Sequence, residues 1–423
     1  MKILVLGSGA REHAIVLALA EEDAGHELYA APGNVGMATR AELVAIDPVD
    51  PAAVADFVAD TAVDLVVIGP EAPLVAGVAD TLRTRGVPVF GPGRAAAQLE
   101  GSKSFAKRVM DTAGVPTGRS VRAQTRAEVV DALARFGAPH VVKADGLAAG
   151  KGVLVTEDHD AALAHADAYL DAGAVLVEEF LTGPEVSLFF LSDGDAVLPL
   201  SPAQDYKRAS DGDVGPNTGG MGAYSPLPWL RELFGSEQAF VDTVTHDIAE
   251  PVIRQLDAEG APFIGLLYAG LILTEQGIKV IEFNARFGDP ETQVVLPRLQ
   301  TPLSGLLMAA ASGRLDHEPR PQFSDDAVVT VVLASEGYPQ APITGRPVVG
   351  ADAAASVDGV HLVHAATAVR DGDLVTAGGR VLGIVARGDS FTQARERAYR
   401  AVDEIEIEGG HHRRDIAAGV AEG

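Results

Sequence analysis

Four short apolar runs in the first ninety residues, at 3–6, 28–31, 65–68 and 87–90, each stop at glycine or proline, and stretches of helical apolar spacing separate them. That alternation narrows the choice of fold sharply. Strands joined by helical crossovers lie parallel in one sheet, and the crossovers are right-handed. Ligands of such sheets gather beyond the strands' C-terminal ends, where the turns at Gly7, Gly33 and Gly69 all fall. Residues 1–100 are therefore expected to form an α/β domain around a parallel, Rossmann-like sheet. Gly7-Ser8-Gly9 opens like a dinucleotide fingerprint, but Glu12 takes the third glycine's place and no acid stands near residues 29–31 to hold a ribose, which argues against NAD. The turn either offers helix-terminal amides and Arg11 to a phosphate or is an ordinary tight turn.

After Gly101 the character changes. Residues 103–110 read as a helix, and strands at 141–143 and 153–156 flank a glycine-rich turn. Further strands are expected at 175–180, 186–191, 268–273 and 279–283, the last two joined at Gln276-Gly277. Between them residues 205–225 are polar, rich in Gly and Pro and without apolar periodicity, which suggests a functional loop. A linker at 314–326 precedes strands at 327–334 and 381–386 and an amphipathic helix at 391–405. A length of 423 residues suits about three domains, placed at 1–100, 101–325 (with a lid subdomain at about 120–190) and 326–423.

The candidate chemistry lies in the middle region. Gly146-Leu-Ala-Ala-Gly150-Lys151-Gly152 is one residue short of a P-loop between its glycines and lies between two strands. It reads as a flap whose amides close over phosphates, with Lys143 reaching in from a fixed strand, or else as a flexible hairpin. Glu178, Glu179 and Phe180 end a strand and Glu185 follows a Gly-Pro turn, a set that suits an adenosine or an edge-strand surface. Glu282, Asn284 and Arg286 alternate and so face one side. Two oxygen donors so spaced suit a hard cation bridging phosphates, and the arginine suits a carboxylate. The loop at 215–222, with Asp205, Lys207, Arg208, Asp211 and Asp213 beside it, reads as a substrate loop. His411-His412 receives no role.

Composition removes other classes. The net charge of −26 opposes sequence-independent attraction to nucleic acid or an anionic membrane, so neither is an expected partner and any phosphate must meet local cations or backbone amides. There is no cysteine, which removes disulfides, thiolate metal sites and a cysteine nucleophile. Gly7, Gly9, Arg11 and Glu12 interrupt the apolar start before a signal peptide develops, and no run approaches the roughly 18 residues of a membrane span. A cytoplasmic location is expected.

Taken in order, GSGAREHAI, APGN, GPEAPL, KSFAK, VVKADGLAAGKGV, EEFLTGPEVS, QDYKR, DGDVGPNTGGMGAYSP, IEFNARFGDPETQ and GGRVLGIVA closely resemble the phosphoribosylamine–glycine ligase (glycinamide ribonucleotide synthetase) family of the ATP-grasp superfamily, essentially end to end. The resemblance implies an ATP-grasp fold with an N-terminal domain, a small lid, a central domain and a C-terminal α/β domain. It also implies a reaction of de novo purine (IMP) biosynthesis, in which ATP, glycine and 5-phosphoribosylamine give ADP, phosphate and N1-(5-phosphoribosyl)glycinamide through a glycyl phosphate. ATP would meet Lys103, Lys143, Gly146, Gly150, Lys151 and Gly152 at its phosphates and Glu178, Glu179, Phe180 and Glu185 at its adenosine. Glu282 and Asn284 would hold Mg2+ or Mn2+. Substrate contacts are expected from Gly9, Arg11, Glu12, Asn34, Glu71, Asp205, Lys207, Asp213, Thr218, Gly219 and Arg286, with catalysis assigned to Arg286, Lys143 and Lys151. Gly270 stands where many relatives carry an acid, and the ending RRDIAAG departs from the usual RRDIG, with nothing catalytic expected of it. The chain is expected to act as a monomer or weak homo-oligomer.

Overall fold

The computed structural model describes residues 1–146 and 152–422. Strands β1 (Lys2–Gly7), β2 (Glu27–Pro32), β3 (Glu42–Leu43), β4 (Leu65–Ile68) and β5 (Val89–Phe90) form one parallel sheet in the order β3-β2-β1-β4-β5. Ile3, Leu4, Val5 and Leu6 are all fully buried, because helices cover both faces of a crossover sheet and leave no polar alternation. The parallel sheet is the one expected. The edge strand β3 was not, since its two residues are exposed and carry no apolar run. At the C-terminal edge the three glycine turns meet: the Gly33 amide donates to Gly7 O at 3.1 Å and the Gly69 amide to Leu6 O at 3.0 Å.

Strands β6 (Ser120–Ala123), β7 (His140–Ala144), β8 (Val153–Thr156) and β9 (Val175–Glu178) form an antiparallel sheet in the order β6-β9-β7-β8. Helices Arg126–Phe136 and His159–Leu170 pack on it. Thr125 and Asp158 cap their first turns through side-chain oxygens, which sets where each helix begins. Val129, Leu133, Val142, Leu163 and Val177 belong to a small core of their own, distinct from the cores of the rest of the chain.

The next strands are β10 (Glu185–Asp193), β11 (Val197–Pro199), β12 (Gln204–Asp205), β13 (Arg208–Ser210), β14 (Val214–Asn217), β15 (Gly222–Ser225), β16 (Ile264–Thr274) and β17 (Gly277–Asn284). The central sheet runs β11-β10-β16-β17, with Ser187 opposite Gly270 and Gly270 opposite Glu282, so that the three share one face. Beyond the linker come β18 (Ala327–Ala334), β19 (Val348–Val349), β20 (Val360–His364), β21 (Thr367–Arg370), β22 (Asp373–Thr376) and β23 (Arg380–Gly388). Order also appears where a loop was expected. Residues 204–225 contribute β12 and β15 to a sheet of order β12-β15-β18-β23-β20, and β13 pairs with β14 in a bulged hairpin. Their backbone is ordered by distant strands rather than by local periodicity, and the sheet joins residues on both sides of position 325. Among the described residues no helix is long and apolar enough to cross a membrane.

Because the sheet β6 to β9 and its two helices carry their own core, Leu133→Ala should cost about 2–5 kcal/mol there. Hydrogen exchange is expected to show faster amides in β6 to β9 and unchanged amides in β1 and β4. Acceleration spread evenly over both sheets would show that this core is not separate.

Candidate functional site

The site is built on β17, where Glu282 and Asn284 face the same side. Burial by itself pushes the Glu282 carboxyl up, but the positive charges of Lys207, Lys143, Lys103 and Arg286 together outweigh it and hold the group below the ordinary carboxylate range. Those cations come from four places in the chain. Lys143, on β7, has Nζ 3.4 Å from Ile281 O and 2.8 Å from Glu178 Oε2. Lys103, at the start of helix Lys103–Ala113, donates to Gly146 O at 3.1 Å. Its pKa is lowered by burial, against the attraction of Glu282 and with the repulsion of Lys143. Lys207, between β12 and β13, pairs with Glu185 and lies 4.0 Å from Asp205 Oδ1. Burial works against the Lys207 charge, but Asp205, Glu185, Tyr268 and Glu282 raise its pKa well above the ordinary value. Arg286 follows β17, forms an ion pair with Glu100 Oε1 at 2.8 Å and donates to Asn284 Oδ1 at 3.2 Å. Its Nε lies 3.8 Å from Glu71 Oε2 and has no hydrogen-bond partner.

The glutamates near the end of β9 are already engaged. Glu178 is buried, with Oε2 on Lys143 and Oε1 3.4 Å from Lys107 Nζ, and Lys107 also donates to Thr117 Oγ1 and Gly118 O. Glu179 accepts from the Arg119 amide at 2.9 Å and from Arg119 Nε at 2.6 Å, and lies 3.3 Å from Lys279 Nζ. Both carboxylates are thus engaged by cations, beside the 43 % exposed Phe180 ring. Glu185 is likewise taken by Lys207. Of the glycine-rich segment, Gly146 accepts from Lys103, and Gly152 O accepts from the Ala144 amide at 2.7 Å and lies 3.2 Å from His165 Nε2. Gly150 and Lys151 lie outside the described residues.

At the N-terminal sheet the glycine turn holds a side chain of its own helix. Glu12, fully buried, reaches back so that Oε2 accepts the Gly9 amide at 2.7 Å while Oε1 takes Arg11 Nη1 at 3.2 Å. Such a return from the first turn to the N-cap satisfies an orphan donor. A Cβ on Gly7, Gly9 or Gly69 would lie 2.5, 2.9 or 2.2 Å from Glu12 atoms, so the three glycines are there to admit that carboxylate. Of the helix-terminal amides that the turn offers, the one of Gly9 is thus engaged by the Glu12 carboxylate.

Beside this turn opens a cavity of about 620 Å³, walled by Ser8, Gly9, Gly33 and Asn34 on one side and by Ala365 to Val369 and Arg380 on the other, with Asp289 at its edge. The Asn34 amide nitrogen donates to Ser8 O and His364 O, both at 2.9 Å, and thereby ties the two walls together. His13 adds to the tie: its Nδ1 accepts the His364 amide at 2.8 Å, so that nitrogen carries no proton. Arg380, absent from the sequence-based set although it stands in GGRVLGIVA, donates to Gly219 O at 2.6 Å and Asp289 O at 3.0 Å and pairs with the Asp289 carboxylate at 2.9 Å. It thus brings Gly219 to the cavity. Thr218 Oγ1 donates to Lys207 O and accepts the Gly220 amide, which shapes the loop. Asp213 is set apart from this group, exposed at the tip of the β13–β14 hairpin with Oδ1 3.2 Å from Arg413 Nη1.

The donor set fits magnesium or manganese. Among the described residues no group of three or more His, Cys, Asp or Glu gathers into a metal cage. Glu282 and Asn284 instead offer two hard oxygens, and a Cβ at Gly270 would already sit 3.4 Å from Glu282 Cγ. A small hard cation that keeps substrate phosphates and waters in its shell needs no more protein ligands than that.

Residues 1–100 match the family model described as phosphoribosylglycinamide synthetase, N domain; residues 101–292 match its ATP-grasp (A) domain and residues 328–419 its C domain. The chain is 66% identical to a phosphoribosylamine–glycine ligase of Leifsonia xyli, over 99% of this chain and 100% of that one, and 57% identical to one of Streptomyces coelicolor, over the full length of both. The crystal structure of the phosphoribosylamine–glycine ligase from Thermotoga maritima superposes with a TM-score of 0.81 at 32% identity, covering 98% of this chain and 100% of that one.

The cavity tie carries a pH dependence. Burial, with the nearby His364 and His361, pulls His13 from the ordinary 6.5 down to about 3, and burial pulls His361 down to about 4. The unfolded chain therefore takes up protons first, and stability present above pH 6.5 is lost as the pH falls from there towards 3. Each such histidine contributes a slope of up to about 1.4 kcal/mol per pH unit. His13→Asn, whose Oδ1 can accept the same amide, should flatten the fall of the thermal midpoint between pH 7 and 5. Equal slopes for the two proteins would remove His13 from the titration.

Proposed function

The chain belongs to the phosphoribosylglycinamide synthetase family, and we propose that it catalyses the ATP-dependent ligation of glycine to 5-phosphoribosylamine, a step of purine biosynthesis, through a glycyl phosphate. The observation that carries this reading is the convergence of Lys103, Lys143, Lys207 and Arg286 on the single carboxylate of Glu282. A carboxylate is a poor acylating agent, and phosphorylation turns its oxygen into a leaving group. The transferring phosphoryl group carries dispersed negative charge, so positioned cations in a dry site are what its transition state needs.

Lys143, held from behind by Glu178, and Lys103, held at the flap's first residue, take the charge of the transferring phosphoryl group. Magnesium or manganese on Glu282 and Asn284 would supply further charge neutralisation on the phosphate oxygens. Arg286 orients the glycine carboxylate, and Glu71 beside it suits the glycine ammonium. Lys207 adds positive charge opposite Glu282, at the substrate end of the site. Phosphoribosylamine lies in the cavity between Gly9, Asn34 and Arg380, with its amine directed to the acyl carbon. The segment from Gly146 to Gly152, with Gly150 and Lys151, closes over the phosphates and keeps water from the acyl phosphate.

Two measurements check this reading. Glycine labelled with heavy oxygen in both carboxylate positions should deliver one labelled atom to inorganic phosphate per turnover, and the glycinamide should keep the other. Unlabelled phosphate would sink the acyl-phosphate route. Arg380→Ala should raise KM for phosphoribosylamine by tenfold or more, about the 1.4 kcal/mol of one lost charge-assisted contact, and leave ATP affinity unchanged. A change confined to glycine would move phosphoribosylamine out of the cavity.

A further inference from the structure

The C-terminal segment, from which no catalytic contribution was expected, is bound to the loop that carries Lys207. Arg413 is the most deeply buried charged side chain there, 1 % exposed. Its guanidinium lies 4.8 Å from the centre of the Tyr206 ring, and Nη1 donates to Arg208 O at 3.1 Å. Tyr206 and Arg208 are the residues on either side of Lys207. Asp415 neutralises the buried charge by accepting from Nε at 2.8 Å and Nη2 at 2.6 Å, the two-point geometry that suits a planar fork. The same segment makes four more bonds to the loop, one of them from Arg413 Nη1 to Asp213 Oδ1 at 3.2 Å. Asp415 Oδ2 accepts the Gly212 amide at 2.8 Å, Asp211 Oδ1 accepts the Arg414 amide at 2.7 Å, and Tyr206 Oη accepts the Ala417 amide at 2.9 Å. Tyr399, on the helix Phe391–Asp403, anchors the segment to the C-terminal domain by donating to Arg413 O at 2.8 Å and accepting the Ile416 amide at 3.1 Å.

We propose that Arg413 is a positioning residue for the ligation: by gripping Tyr206 and Arg208 on both sides of Lys207, it fixes that ammonium between Glu185 and Asp205, facing Glu282. The inference rests on the reading above that Lys207 serves the substrates. The backbone at 206–207 is bonded within the loop, by Thr218 at Lys207 O and by Met221 and Gly222 at Tyr206, and Arg413 adds from the C-terminal segment a side chain that contacts both neighbours of Lys207. A lysine at 413 would keep the charge and lose both the fork and the stacking plane.

The test uses the full-length chain with Arg413→Lys, Lys207→Met and the two combined. Steady-state rates for each substrate and ADP affinity by titration calorimetry are compared in a double-mutant cycle. Arg413→Lys should lower kcat about tenfold or more, as a misplaced group does, with ADP affinity and the thermal midpoint near those of the parent. The double variant should be no slower than Lys207→Met alone. Asp415→Asn, which loosens the same fork while keeping Arg413, should give a smaller loss of the same kind and is read in the same way if Arg413→Lys does not fold. A normal rate for the tail variant beside a crippled Lys207→Met, or losses that multiply in the double variant, would overturn the proposal alone. Full activity of Lys207→Met would overturn both the role given to Lys207 and the proposal.

Discussion

One half-buried carboxylate, that of Glu282, sets the terms for the rest of the molecule. Four cations near Glu282 repel one another in a medium that screens them poorly, and such a cluster persists only when each charge has compensation of its own. Glu178 serves Lys143, Glu185 and Asp205 serve Lys207, and Glu100 and Glu71 serve Arg286. Lys103 has a carbonyl, Gly146 O, as its hydrogen-bond acceptor, and burial lowers its pKa. Each acid so placed compensates a cation whose charge also acts on Glu282. This arrangement needs acids from the N-terminal domain, the sheet β6 to β9 and the loop at once. That requirement explains why separately folded parts must close on one strand.

The glycine turn of the first domain follows the same logic at smaller scale. In a dinucleotide-binding turn the glycines make room for a ligand's phosphates. Here they make room for Glu12, whose carboxylate closes the first turn of its helix and holds Arg11. With the Gly9 amide occupied, the open space beside the turn is a cavity whose second wall belongs to the C-terminal domain. Neutral His13 and the Asn34 amide hold that wall at a fixed distance. The sheet β6 to β9 differs, since its core is its own and its links to the site run through Lys143, Asp145, Gly146, Glu178 and Glu179. Motion of this sheet would therefore change the site without disturbing the other cores.

What the sequence by itself determined is what depends on neighbours a few residues apart. Buried runs ended by glycine specify parallel strands, a polar turn between two apolar runs specifies the β16–β17 hairpin, and period-two alternation puts Glu282 and Asn284 on one face. The quoted motifs carry the family for the same reason, being contiguous. What only the tertiary structure decided is which groups meet across the chain. Glu178 and Glu179 read as free acceptors in the sequence, yet both are bound to cations from other elements. Residues 204–225 read as a loop, yet strands from the last hundred residues and Arg413 order them. Glu12 reads as a broken fingerprint, although Gly69, far along the chain, is what leaves it room. Pairings of this kind have no local period, because the energy that selects them is the cost of burying an uncompensated charge, and that cost arises only once the chain has folded.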